Sequence, residues 1–493
     1  MTEAQKRIAM VGVLLTLILA VLDQNIVATA SWSIVRELDP VHGLERLPWL
    51  VTAYSLAATA ALPLYGKLCD VYGAKHVYLG AVGLFLAGSA LCALAQDMGQ
   101  LIAFRAVQGL GGGGLMSVTM IVAAHLTPPQ QRASAGGAGG LIAGLGLVAG
   151  PLLGGVFTDH ATWRWIFYLN LPIGLFVLVS AAIAIRLGDG GLRHRIDYPG
   201  AALIAAAACL LLLVVEWGGK TYAWDSATIL SLTGLDVVLF AAFAWRQLTA
   251  AEPILPFSMF RHPTLRIALP LQLLTGLGMA GGIFYTVIYL QAVAGVKATD
   301  SGLYLIPMAI GMVVSGTISG LLIGRGRDTK PFLIAGMACV TAAMVLLSRL
   351  ETATSSWTLR LDLFVMGVGF GMVLGIVVML VQNSAPRSQL GVATTSIRFV
   401  QVLGSALGTA IFGIVLNRAT ESHLPPGTRA GSLARAVPPE TRERVVDALL
   451  SGVHVVFLSA AGVMALAVLL AAFLRTSPAL PADPPAPQLV DLR

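Results

Sequence analysis

Charge is what this 493-residue chain has least of: Asp, Glu, Lys and Arg together make up 11% of it, against 57% hydrophobic residues. A water-soluble domain of that length needs a polar coat, so a soluble enzyme or cytosolic binding module is excluded. Cysteine is equally scarce. The four present, Cys69, Cys92, Cys209 and Cys339, form no CxxC pair and fall in or beside apolar runs, the pattern of small core residues rather than of a disulfide scaffold. No GxxxxGK[ST] stretch occurs, so ATP is not the direct energy source, and no His or Cys cluster has metal spacing. Neither a metal nor a cofactor is expected. A polar catalytic cluster at one face, which a polytopic membrane enzyme needs, is also missing, so no enzymatic activity is expected. The formal net charge of +7 calls for no nucleic-acid partner, because topology and contact with anionic lipid headgroups account for it.

What the chain does have is apolar runs of about 20 residues, one after another from Ile8 to Leu474, each long enough for a helix to cross a bilayer. Only helices and closed barrels satisfy their backbone in lipid, and runs of this length exclude strands. The expectation is an all-α polytopic membrane protein of about fourteen spans. If the N-terminus is inside, the inner loops hold Lys6, Arg7, Lys67, Lys75, Arg132, Arg186, Arg246, Arg266, Arg325, Arg327 and Arg387 among others, and the short outer loops hold about half as many. Both termini are therefore expected in the cytoplasm, with the chain in the plasma (inner) membrane. The preference for Arg over Lys suits a GC-rich bacterial genome. The first apolar run is long and lacks a small-residue cleavage site, so it is expected to remain as a span.

An even number of spans with both ends inside fits a duplicated transporter. GKLCDVYGAKHVY, from Gly66 after the second run, and GLLIGRGRDTKPF, from Gly320 after the tenth, loosely match at corresponding positions. The expected division is an N-terminal six-helix half at 1–187, an inserted two-helix linker at 188–245, a cytoplasmic connection at 246–264, and a C-terminal six-helix half at 265–475 with a long external loop at 417–450. A cytoplasmic tail at 476–493 completes it. In the loop, Pro-Pro-Glu starts either a short amphipathic helix, part of an external cap, or nothing more than a linker.

GKLCDVYGAKH resembles the loop signature of the major facilitator superfamily, with Gly66, Asp70, Gly73 and Lys75 at the matching positions. RAVQGLGGG, from Arg105, resembles that family's fourth-helix signature, and AGPLLGG its antiporter signature in the fifth. With LDQNIVATA in the first span and WRWIFYLNLPIG before the sixth, the whole set is similar to the fourteen-helix drug:proton antiporter branch. The resemblance implies two six-helix halves plus two inserted helices, and proton-coupled export of amphipathic drugs or antibiotics by alternating access. An exporter of an endogenous lipid or metabolite is the alternative. The implied partners are a small amphipathic or cationic substrate, protons and membrane lipid, for a protein acting as a monomer.

The fifth run poses a physical question, because it is apolar yet crowded with helix-weakening residues. Gly146, Gly150 and Gly154 recur at four-residue spacing beside Gly155, so a neighbouring backbone can approach closely, and Pro151 removes a helical hydrogen bond. A tight, bent contact of this kind serves either as a hinge seal between halves or as ordinary helix packing. Asp70 lies just beyond the second run, where its carboxylate either caps a neighbouring helix or pairs with a base across the halves, or remains a solvated loop charge.

Intramembrane charges are costly and face a cavity or a partner. At 1.5 Å per residue, Asp23 lies roughly 22 Å along the first helix, level with Arg105 near the start of the fourth. The pair is either a proton-coupling couple or a static ion pair. Asp236, near the middle of the eighth run, and Asp362, shallow in the twelfth, are further candidates for proton coupling. Arg398, well inside the thirteenth, joins Trp49, Tyr54, Tyr285, Tyr289 and Met366 as candidate substrate-pocket residues, since aromatic and methionine surfaces adapt to flat, apolar or cationic ligands.

Overall fold

The computed structural model describes residues 3–39, 43–127, 153–154, 156–157, 160–185, 196–219, 221–255, 262–296, 298–352, 354–386, 389–423 and 439–474. The helices are α1 Glu3–Leu38, α2 Gly43–Tyr72, α3 Ala74–Ala93 and α4 Met98–Leu126, followed by α5 Trp165–Ala184. Next come α6 Tyr198–Trp217 and α7 Ala227–Thr249, then α8 Pro263–Val293 and α9 Asp300–Gly324. The last four are α10 Lys330–Leu347, α11 Ser356–Ser384, α12 Leu390–Glu421 and α13 Pro439–Ala472.

Among the described residues twelve helices, all of these but α2, are long and apolar enough to cross a membrane. The protein is thus a multi-pass membrane protein. Helix α2 has 30 residues, but Thr52, Tyr54, Ser55, Thr59 and Tyr65 lower its hydropathy, and of these Tyr54, Thr59 and Tyr65 are buried against neighbouring helices. The glycine-rich fifth run lies outside the described residues except at 153–154 and 156–157, so the count of fourteen is not reached. Of the expected external loop at 417–450, residues 424–438 lie outside the described residues; α12 runs on to Glu421 and α13 starts at Pro439. Pro439 and Glu440 open α13, with the proline at home in a first helical turn.

The N-terminal half is built around close backbone approach. A Cβ on Gly109 or Gly113 of α4 would run into the α2 backbone at Tyr54 or Ala58, and one on Gly111 into the α3 backbone at Phe85. The glycine series thus lets α4 sit between α2 and α3 at a distance larger residues forbid. Its apolar core is divided. One cluster joins Leu19, Ala20, Phe85, Leu115 and Val177; the other joins Ile26, Val27, Cys92, Leu101 and Phe167. Between them α1, α3, α4 and α5 each contribute polar residues, Asp23, Ser89, Arg105, Gln108 and Asn170, all buried.

The C-terminal half has one continuous cluster from Leu265 to Leu474. Helix α8 contains Pro270 and two widened turns, Ala280–Phe284 and Tyr289–Val293. At the end of the bundle carrying Glu3, called here the near end, the halves touch through α2 and α12. The hairpin α6–α7 lies along the same seam, where Leu62 of α2, Ile204 and Ala208 of α6, Phe243 of α7 and Phe399 of α12 form one buried cluster. The Arg246 guanidinium holds Asp197 at 3.0 Å, and Lys67 reaches Glu252 at 3.2 Å. These ties fasten the near end of the hairpin to itself and to α2.

Candidate functional site

The polar layer that divides the N-terminal core is a closed hydrogen-bond network. Arg105 Nη1 donates to Asp23 Oδ2 at 2.8 Å and to Gln108 Oε1 at 2.8 Å, and Arg105 Nε donates to the Leu50 carbonyl at 3.1 Å. The other carboxylate oxygen, Asp23 Oδ1, accepts from Gln108 Nε2 at 2.7 Å and from Asn170 Nδ2 at 2.9 Å. Asn170 Nδ2 also reaches Ser89 Oγ at 3.0 Å, and Ser89 donates onward to the Phe167 carbonyl. The guanidinium lies 4.3 Å from the centre of the Tyr54 ring. Asp23 and Arg105 are 0% and 1% exposed, so the charges are screened by protein rather than water and each depends on the other.

The level assigned to Asp23 and Arg105 from helix rise is correct to within contact distance. Gln108, Asn170 and Ser89 escaped the sequence reading because single amides and hydroxyls are common in apolar runs. One signal was available for Gln108: it lies three residues after Arg105 on α4, hence on the same face. WRWIFYLN places Asn170 by anchoring the start of α5. Trp163 Nε1 donates to Glu37 at 2.8 Å, Arg164 pairs with Glu37, and Arg164 Nη2 donates to the Ala95 carbonyl at 3.0 Å.

The second site is the joint between halves. Asp70, in the last turn of α2, accepts from the backbone N–H of Gly391 at 2.8 Å and of Val392 at 3.0 Å, in the first turn of α12. The carboxylate thus caps the positive end of a helix belonging to the other half. A Cβ on Gly66 would overlap Thr395 Oγ1 and lie 3.0 Å from the Gly391 carbonyl, and one on Gly391 would overlap the Gly66 carbonyl. Nearby, Gln382 Nε2 of α11 lies 3.5 Å from both the Met120 carbonyl of α4 and Thr394 Oγ1. Gly73 turns the chain with φ 83°, a conformation that favours glycine. Lys75 does not reach across the joint; its ammonium donates to the Ala182 carbonyl of α5 at 2.9 Å, within its own half.

The remaining candidates are scattered. Asp236 on α7 is buried, with Oδ1 unpartnered, and Asp362 on α11 is buried in the other half. Neither joins the Asp23 network. Trp49 meets Trp217 of α6 edge to face at 6.3 Å. Tyr54 stacks on Arg105. Tyr285 and Tyr289 donate to the carbonyls of Thr409 and Glu351, and with Met366 they belong to the C-terminal core. These residues are spread over both halves, with Trp49 and Tyr54 on α2, Tyr285 and Tyr289 on α8 and Met366 on α11. Arg398 is half-buried on α12. Of the glycine-rich helix, Gly146, Gly150, Pro151 and Gly155 lie outside the described residues, and Gly154 is buried.

Comparison with known proteins gives a consistent picture. The profile of the Major Facilitator Superfamily matches residues 13–409. Multidrug resistance protein 3 of Bacillus subtilis is 34% identical over 93% of this chain and 93% of its own length. Multidrug transporter protein MdtP of the same species is 34% identical over 84% of this chain and 76% of its own length. Among solved structures, the proton:xylose symporter XylE superposes with a TM-score of 0.63 at 14% identity, covering 95% of each chain. That likeness is one of fold.

Proposed function

Because the chain belongs to the major facilitator superfamily, a family of transporters, we propose that it is a secondary active exporter that exchanges protons for amphipathic drugs or antibiotics by alternating access. The observation that carries this reading is the enclosed carboxylate of Asp23, held by an arginine and two amides contributed by two other helices. A proton arriving at Asp23 removes the charge that Arg105 and the two amides are arranged around. Arg105 then keeps Gln108, the Leu50 carbonyl and the Tyr54 ring but loses its ion pair to α1, so α1 and α4 are free to shift against each other. Release of the proton on the opposite side restores the network.

The Asp70 cap supports the second half of the cycle. In the proposed topology the near end faces the cytoplasm of a plasma membrane with both termini inside, so the contact of α2 with α12 seals the cytoplasmic side. Opening inward must break the bonds from Gly391 and Val392 to Asp70. The proposed bundle has fourteen spans, with α2 and the glycine-rich run completing the twelve, divided into two six-helix halves and the inserted hairpin. Gly146, Gly150, Pro151 and Gly155 are proposed as the seal where the halves meet. The names of the two Bacillus relatives support a drug-like substrate.

The deciding experiment is ligand efflux in proteoliposomes with an imposed pH gradient, run on wild type and Asp23→Asn. Gradient-driven efflux is expected to vanish in the variant while counterflow exchange of ligand survives. An Asp23→Asn protein that still concentrates ligand would move the coupling role to Asp236 or Asp362.

A further inference from the structure

Among the described residues two arginines, Arg105 and Arg398, lie in the interior of the bundle, and their surroundings differ. Arg105 has a carboxylate, an amide oxygen, a backbone carbonyl and an aromatic face. Arg398, in α12, makes one described hydrogen bond, from Nη1 to Gln401 Oε1 at 2.7 Å. Among the described residues no carboxylate lies within ion-pair distance of it. A guanidinium carries five N–H donors, so four remain open on a side chain that the neighbouring amide already orients. Gln401 is itself pinned, because its Nε2 donates to Met279 Sδ at 3.3 Å.

The position of Arg398 is set by its own helix. Thr394, Arg398, Gln401 and Ser405 form one stripe along α12. At one end of the stripe Thr394 meets Gln382 of α11, which lies within 3.5 Å of the Met120 carbonyl on α4 in the other half. At the other end Gln401 and Ser405 abut α8, where a Cβ on Gly276 would strike the Gln401 carbonyl. Arg398 therefore stands one turn from the point where the two halves converge. Gln272, one turn before Gly276 on α8, is 1% exposed, and its Oε1 accepts no hydrogen bond. Among the described residues the C-terminal half thus offers a cation without a counter-charge and a neutral acceptor without a donor on facing helices, whereas the Asp23 carboxylate in the N-terminal half is fully engaged.

An unpaired charge at this depth is expensive and calls for a counter-charge. We propose that Arg398, braced by Gln401, is the headgroup site for an amphiphile carrying a carboxylate, sulfate or phosphate, and that the transporter selects anionic over cationic ligands. The open guanidinium edge suits bidentate binding of a planar or tetrahedral oxyanion. This rests on the exporter reading only in taking the bound amphiphile to be the transported one. It narrows the ligand class away from the cations that the aromatic residues suggested.

The test uses the purified protein in phosphatidylcholine nanodiscs with dansylamino-undecanoate and its methyl ester as probes. The acid is expected to bind at least about tenfold more tightly than the ester, the size of one charge-assisted interaction. Arg398→Gln should erase that preference and Arg398→Lys should retain part of it. Equal binding of acid and ester to wild type, a measurement that needs no variant, would overturn the proposal, as would a folded Arg398→Gln protein that keeps the preference. Replacing part of the lipid with phosphatidylglycerol separates the sources: competition supports a lipid headgroup as the anion, and none supports a water-borne acid. Probe transport in proteoliposomes separates this idea from the exporter reading. Anion-selective binding without gradient-driven movement leaves the site standing and sinks export, while movement of acid and ester alike does the reverse.

Discussion

Asp23 accepts from three side chains, and that arrangement determines how each partner responds to replacement. Gln108 both donates to Asp23 and accepts from Arg105, so Gln108→Ala leaves a buried donor and a buried acceptor short at once. It is expected to destabilise the protein by about 1–3 kcal/mol, read as a lower melting temperature of the purified transporter, and to slow gradient-driven efflux. Asn170→Ala removes one donor and should cost less, because Arg105 and Gln108 still hold the carboxylate. Lys75→Ala is the contrasting case. Its ammonium is exposed and makes a single backbone contact, so its effect on stability should stay within about 0.5 kcal/mol. The charged members of the network were legible in the sequence because charge in an apolar run is rare and helix rise fixes depth. The amides were not, since the same residue types occur elsewhere in the chain without forming a network.

At the scale of helices, the joint of α2 with α12 depends on two features that act separately. Gly66 and Gly391 permit backbone contact, and Asp70 supplies the cap. Asp70→Asn keeps the shape but removes the charge that complements the α12 N-terminus, a change worth about 1 kcal/mol. Hydrogen exchange of the Gly391 and Val392 amides should therefore accelerate several-fold, and unchanged exchange would show that the cap does not hold the joint. Gly66→Leu should act more strongly, because no rotamer relieves an overlap with Thr395 and the Gly391 backbone. Expected is a folded protein that binds ligand but turns over slowly, with α12 amide exchange raised over its whole first turn. The sequence placed Asp70 at a helix end and suggested that it caps a neighbour. It did not name α12, which is more than 300 residues away in the chain, a distance that only the folded bundle closes.

For the whole molecule, hydropathy alone exposed the helical bundle, because lipid admits few other structures, but it did not show what lies along the seam. The hairpin α6–α7 reads as an inserted linker, and in the fold Ile204, Ala208 and Phe243 pack with Leu62 of α2 and Phe399 of α12. The spacing of apolar residues shows that a face is buried and is silent about which helix covers it. The two halves also differ in their interiors: the Asp23 layer divides the N-terminal core into two apolar clusters, while the C-terminal core is one continuous cluster with buried polar residues such as Gln272 and Asp362 in the same half. If Asp23 alone carries the proton, a thermodynamic limit on the proposed exchange follows. One proton per cycle delivers about 1.4 kcal/mol per pH unit at zero membrane potential, which supports no more than about a tenfold ligand gradient. Wild-type proteoliposomes clamped at zero potential should therefore approach about a tenfold ratio for one pH unit and about a hundredfold for two. Reversing the pH gradient should reverse the direction of accumulation. A ratio rising about a hundredfold per pH unit would mean two protons per cycle, and Asp236 or Asp362 would then have to carry the second.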